Sequence, residues 1–239
     1  MLLSQYARHT HSRPHAKGRF PVERIFIATP THICKRYCAT EFVGSVLSHA
    51  LDVYDCEFHI AGNSEASCEK FYSNPRVKYN DMDLPSTYFK HREAIHQRIV
   101  YTANFLRRAF LESDCKFYLS LEADVMLHAH DMQELVRNMV SLTDWDVLHT
   151  NCYANFNRSL VREPTNRITM GCTLVRRAVL EEVSFRYDSK VLAAHYDAFF
   201  CKDAIAENYR CVYEPSIKPD HRDQSNMRGW VEIPYSERG

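Results

Sequence analysis

At 239 residues the chain is long enough to bury a substantial core, as one large domain or as a domain with a small lobe. Lysine plus arginine equal aspartate plus glutamate at 30 each, so no cationic excess draws it to nucleic acid or to an anionic membrane. The nine cysteines are odd in number and follow no paired framework, which points to reduced thiols in a cytosol-like compartment. Cys34 and Cys38 have no second pair at zinc-ribbon spacing, which argues against a structural zinc.

Residues 1–20 are basic and histidine-rich without an apolar run, and read as a flexible tail rather than a signal peptide. A single domain is expected over 21–239. No apolar stretch is long enough to span a bilayer. A cytoplasmic protein is therefore expected, with peripheral membrane association left open.

The first strand is Arg24–Pro30, ending in the loop Thr29-Pro30-Thr31. A helix is expected from about Lys35 to Leu51, then a strand over Cys56–Ala61 stopped by Gly62-Asn63-Ser64. A helix around Glu65–Tyr72 and a short strand at Val77–Asn80 follow. His91–Glu112 is the clearest helix, because Ile95, Ile99, Thr102, Leu106 and Phe110 recur at three and four residues. Phe117–Val125 reads as one hydrophobic strand, and a helix from Asp131 to about Ser141 takes Asp131 as its N-cap. Beyond it come a strand at Asp146–Thr150, a polar loop over Asn151–Asn166 and an apolar strand over Ile168–Val175. Helices near Arg177–Val183 and Asp197–Asn208 and a last strand at Arg210–Tyr213 complete the order. Alternating strands and helices in the first half predict right-handed βαβ units and a mostly parallel sheet. The second half breaks that rhythm, as an added lobe would.

The strand Phe117–Val125 closes on two carboxylates, Glu122 and Asp124, one residue apart. Side chains alternate along a strand, so both acids are expected to project the same way with Ser120 behind them. Open α/β sheets bind ligands outside the carboxyl ends of their strands. Adjacent like charges there need a cation or a donor network, and an acid-x-acid pair suits a divalent metal carrying phosphates. The competing reading is a solvated strand end.

Thr29, Pro30 and Thr31, with Arg36 behind them, sit where a nucleotide would meet the first strand, although an ordinary turn has the same composition and no glycine-rich phosphate fingerprint is present. Arg92 and Arg98 stand about two turns apart on the long helix, either facing a diphosphate or lying on a solvated face. Asp197, in His195-Tyr196-Asp197, is placed to act as a general base or to stabilise positive charge on a sugar ring, and also to cap its helix. His221 follows the last strand and suits a metal held by the acidic pair.

Taken in order, these pieces resemble a GT-A-type, nucleotide-sugar-dependent glycosyltransferase with a DxD motif, here ExD. The resemblance is carried by the arginine-bearing helix leading into Phe117–Val125, then Asp144–Leu148, Met170–Arg177, Asp197 and His221. The layout is also similar to mannosyltransferases of the fungal mannan-building type. The resemblance implies a GT-A-like, Rossmann-type, mostly parallel sheet flanked by helices with a smaller acceptor-side lobe. It implies transfer of a hexosyl or pentosyl group from a nucleoside-diphosphate sugar, UDP favoured, to a hydroxyl acceptor such as a glycan. Carried over by position, Asp124 is a direct ligand of Mn2+ or Mg2+, His221 a further ligand, Glu122 an outer or sugar-contacting acid, and Asp197 the base. The donor is expected against Thr29, Pro30, Thr31, Asn63, Arg92, Arg98, Glu122, Ala123, Gly171 and Cys172. The spacing within Gln224–Trp230 does not match the QxxRW of processive synthases.

Three other readings stay open. His195, Asp197 and His221 have the composition of a non-haem iron facial triad, which would require a double-stranded β-helix. A sugar nucleotidyltransferase would want a glycine-rich basic loop after the first strand. A non-catalytic carbohydrate-binding protein would keep the fold alone.

Overall fold

The computed structural model describes residues 24–31, 33–62, 72–82, 92–150, 152, 161–188, 190 and 195–222. The expected tail, Asn63, most of the helix before Tyr72, most of the polar loop and Gln224–Trp230 lie outside them.

Apolar runs bounded by turns form the strands β1 Ile25–Pro30, β2 Cys56–Gly62, β3 Val77–Asp81 and β4 Phe117–Leu121. After β5 Val125–Met126 come β6 Val147–Thr150, β7 Glu163–Pro164, β8 Cys172–Arg176, β9 Cys211–Glu214 and β10 Asp220–His221. Eight of these form one sheet in the order β3-β2-β1-β4-β8-β6-β9-β7. The first four are parallel neighbours, with β1 in register with both β2 and β4 (Ile25 opposite Cys56 and Phe117). β8 then enters antiparallel between β4 and β6, β9 lies parallel to β6, and β7 closes the edge antiparallel. The break in rhythm read from the second half is this reversal.

Alternation along the strands builds two cores. Ile25 and Ile27 of β1, with Phe117, Leu119 and Leu121 of β4, face one side. They pack there against α1 (Ala39–Val46) and α3 (Ala129–Ser141) through Phe42, Val46, Met132 and Leu135. Phe26, Ala28 and Tyr118 face the other side, against α2 (Arg92–Glu112), α4 (Arg177–Glu182) and α5 (Tyr196–Ala206) through Leu106, Phe110, Leu180 and Phe200. Each such large side chain stabilises the fold by about 1.5–3 kcal/mol when fully buried. Arg177 joins two of these helices: its guanidinium donates to the carbonyls of Phe110, Leu111, Ser113 and Cys115, satisfying groups that the end of α2 leaves open.

Three local expectations need correction. The helix expected from Lys35 begins instead as a 3-10 turn, Ile33–Cys38, and ends in a π segment, Leu47–Leu51. The cap of α3 is His128, and Asp131 is the third helical residue, its carboxylate accepting the His128 N–H at 3.0 Å. The cap of α5 is His195, so Asp197 stands second in the helix and accepts the N–H of Ala198 at 2.8 Å. In both helices the acid serves the first turn, where the exposed N–H groups attract negative charge, without being the boundary residue.

Candidate metal and donor site

The strand carrying the acidic pair is shorter than its hydrophobic run. β4 pairs with β8 as far as Leu121 opposite Cys172, and there the ladder ends. The Glu122 N–H donates to the Gly171 carbonyl at 2.9 Å, and the Val125 N–H donates back to the Glu122 carbonyl at 3.0 Å, closing a turn over Glu122–Val125. Glu122 and Asp124 are therefore not alternate residues of an extended strand, as expected; a turn orients them. The buried Ser120 sits just before the turn and donates to the Met170 carbonyl at 2.7 Å.

The turn is completed by a distant segment. β10 pairs antiparallel with β5, setting Asp220 opposite Met126 and His221 opposite Val125, while the Arg222 N–H donates to the Asp124 carbonyl at 2.7 Å. Ligand atoms of Glu122, Asp124 and His221 consequently all lie within 4.8 Å of one another. Asp131 organises the approach of both strands. Its second carboxylate oxygen accepts the Lys218 N–H at 3.0 Å, so one buried acid holds the start of α3 and the lead into β10.

Asp124 is 1% exposed, and its two oxygens have different surroundings. Oδ2 takes an ion pair from Lys35, stands 3.3 Å from His221 Nε2, and lies 3.4 Å from the Tyr37 hydroxyl oxygen. Oδ1 is buried and meets no donor among the described residues. Burial pushes the carboxyl up, but the His221 hydrogen bond and the Lys35 charge outweigh it and hold the group below its ordinary value. The same hydrogen bond raises His221. A buried carboxylate oxygen without a donor, beside a second carboxylate and an imidazole, fits a divalent cation that accepts oxygen and nitrogen ligands.

Lys35 and Tyr37 were not singled out by the sequence, which drew attention to Arg36. For Lys35 the signal is local geometry: in a 3-10 turn it shares a face with Cys38, three residues on. Lys35 and Cys38 both meet the acidic turn, the Cys38 thiol donating to the Ala123 carbonyl at 3.3 Å. Burial raises that thiol to about 12, so it stays protonated beside the carboxylates. The Tyr37 hydroxyl donates to the Arg222 carbonyl at 2.6 Å, stitching the turn to the end of β10.

The other predicted positions fall around this cluster. Thr29, Pro30 and Thr31 close β1 at the same end of the sheet; Thr29 is buried, and Thr31 shares a 2.7 Å hydrogen bond with the Tyr72 hydroxyl. Gly62 permits that loop, since a Cβ there would stand 2.7 Å from Thr31 Cγ2 and 2.9 Å from the Tyr79 hydroxyl. Ala123 and Cys172 are buried, and Gly171 meets the turn through its carbonyl. Arg98 lies on α2, where burial lowers its guanidinium to about 10, and the side chain of Arg92 lies outside the described residues.

Asp197 stands outside the cluster, at the start of α5. Burial raises its carboxyl, opposed chiefly by the Ala198 N–H. Tyr196 connects the two places: it is buried, and its hydroxyl feels the charges of both Glu122 and Asp197. The iron-triad reading finds no support in this geometry. His221 sits with Asp124, whereas the ring of His195 meets the edge of His96 at 4.7 Å, and among the described residues His195, Asp197 and His221 form no common cluster.

No family model matches the chain, and no curated protein matches it in sequence. Among solved structures it resembles residues 1–349 of TarS from S. aureus, with a TM-score of 0.58 and 13% identity over 82% of this chain. It also resembles the mannosyltransferase PcManGT from Pyrobaculum calidifontis, solved with GDP-Man and Mn2+, with a TM-score of 0.56 and 11% identity over 87% of this chain. The chain covers 59% of each of those two chains. At such identities the likeness is one of fold. No helix among the described residues is long and apolar enough to cross a membrane. The architecture is thus a GT-A-like α/β fold, a mostly parallel sheet between helical layers, with its carboxylate–histidine cluster at the end of β4.

Proposed function

We propose that the chain is a metal-dependent glycosyltransferase that moves a sugar from a nucleoside-diphosphate sugar to a hydroxyl acceptor such as a glycan. The observation that carries this reading is the meeting of Glu122, Asp124 and His221 at the carboxyl end of β4, with one buried Asp124 oxygen that meets no donor among the described residues. Asp124, His221 and Glu122 would hold Mn2+ or Mg2+. When bound, the metal supplies Lewis-acid neutralisation of charge growing on the departing nucleoside diphosphate. The β1 loop of Thr29, Pro30 and Thr31, with Asn63, would flank the nucleotide. Arg92 and Arg98 would meet the diphosphate, and Ala123, Gly171 and Cys172 would set the backbone floor under the sugar. Asp197 would take the proton from the attacking hydroxyl, and its raised carboxyl makes it a stronger base than an ordinary aspartate. UDP is the favoured nucleotide from the resemblance in sequence layout; GDP joins it because the mannosyltransferase neighbour carries GDP-Man.

A thermal-shift panel of UDP- and GDP-sugars, each with and without Mn2+, tests the reading. A ligand that binds only the native state raises its apparent stability, by about 2.7 kcal/mol at a hundred times its dissociation constant. The expected result is stabilisation by sugars of one nucleotide, dependent on metal. Stabilisation by free sugars or glycans alone, with no nucleotide response, would move the chain to the non-catalytic carbohydrate-binding class.

A further inference from the structure

The cation-binding corner already contains a cation of the protein's own. Lys35 reaches from the 3-10 turn after β1 to Asp124 Oδ2, across 89 positions of sequence. Its side chain is about one third exposed, whereas that of Asp124 is almost wholly buried. Of the groups at this carboxylate, His221 is fixed by the β5–β10 pairing and Tyr37 by its bond to the Arg222 carbonyl. Among these described groups Lys35 combines a flexible four-carbon stem with a path to solvent, so its ammonium can leave without moving backbone. A lysine ammonium and a divalent ion cannot share one carboxylate without strong like-charge repulsion.

We infer that Lys35 is a built-in counter-cation: it occupies Asp124 while the site holds no metal, yields that carboxylate when a divalent cation enters, and then pairs with the phosphates of the arriving nucleotide. This rests on the metal-dependent reading above. It adds an order to that reading. Metal alone must displace an ion pair and binds weakly. Nucleotide offers the displaced ammonium a new anionic partner, so each ligand strengthens the other by the same factor.

The test is Mn2+ binding, followed by the electron paramagnetic resonance of the free ion, on the full chain and on Lys35→Met, which keeps the stem and removes the charge. Lys35→Arg serves as the charged control, and circular dichroism checks that all three share one fold. Lys35→Met is expected to bind Mn2+ alone about tenfold more tightly than the parent, with Lys35→Arg parent-like. In the parent, UDP or GDP is expected to tighten Mn2+ binding by a factor within the roughly 5- to 150-fold range of site–site coupling. In Lys35→Met that factor is expected to shrink severalfold without vanishing, because the metal itself still attracts the diphosphate. Equal or weaker Mn2+ binding by Lys35→Met overturns the role of Lys35 while leaving the metal site standing. Absence of Mn2+ binding from the parent and from Lys35→Met, with or without nucleotide, overturns both this inference and the metal-dependent reading. Undiminished coupling in Lys35→Met overturns the phosphate half of the inference.

Discussion

Two aspartates, Asp124 and Asp197, are held in opposite ways. Asp124 is buried against Lys35, His221 and Tyr37, and the His221 hydrogen bond and the Lys35 charge keep its carboxyl below the ordinary range despite burial. Asp197 is partly buried and accepts the backbone N–H of Ala198, and burial outweighs that bond and raises it. The surroundings of the first favour its charged form, and those of the second favour its protonated form. Burial acts on both, so the neighbours and not the depth decide which chemistry each can do.

The sharpest way to break this contrast is to remove each charge while keeping the shape. Asp197→Asn is expected to lower turnover by about 10²–10⁴-fold and to leave nucleotide-sugar affinity nearly unchanged, as steady-state kinetics beside calorimetry would report. An equal loss in binding would mean that Asp197 is no base. Asp124→Asn should do the reverse, weakening metal-dependent nucleotide-sugar binding by about 100-fold or more, since even outer-shell changes cost about 10–100-fold. Retained metal-dependent binding in that variant would remove Asp124 from the site.

The pH dependence sharpens the same comparison. A base with a raised pKa loses activity on acidification earlier than an ordinary aspartate near 3.9, so the acid limb of the transfer rate should lie above that value. The folded state holds this proton more tightly than the unfolded chain, so the contribution of Asp197 to stability is greatest below the unfolded pKa and falls as pH rises through the folded one. The melting temperature of Asp197→Asn should therefore gain on the parent as pH rises from about 4 towards neutrality. A constant difference across that window would refute the raised carboxyl.

Smaller effects test the scaffold that separates the two environments. Asp131→Ala strips acceptors from the His128 and Lys218 N–H groups, and should cost about 1–3 kcal/mol in chemical denaturation. Because the Lys218 bond leads into β10 and His221, metal affinity should fall with it, by about tenfold. Gly62→Ala brings a methyl to 2.7 Å from Thr31 Cγ2, and is expected to cost on the order of 1 kcal/mol while loosening the β1 loop. Unchanged nucleotide affinity in Gly62→Ala would argue that this loop does not touch the donor.

What the sequence determined by itself is the sheet and its flanking layers. Runs such as Ile25–Pro30 and Phe117–Leu121 are apolar on both faces, and the stripe through Leu106 and Phe110 repeats at helical spacing. Period and hydrophobicity are properties of neighbouring residues, so the order of β1 to β4 with α1 and α2 was legible without a tertiary model. Glu122, Asp124, Asp197 and His221 were also conspicuous as residue types near element ends. Tertiary structure alone decided how the carboxylates point, because β4 stops where β8 gives it no further partner and a turn takes over. It alone decided that His221 lies on Asp124, through a two-residue pairing of β10 with β5 across almost one hundred positions. It also decided that Lys35, on the 3-10 turn after β1, reaches Asp124 across 89 positions of sequence. Backbone pairing between distant segments leaves no periodic trace in sequence, and the geometry of this site is built from such pairings.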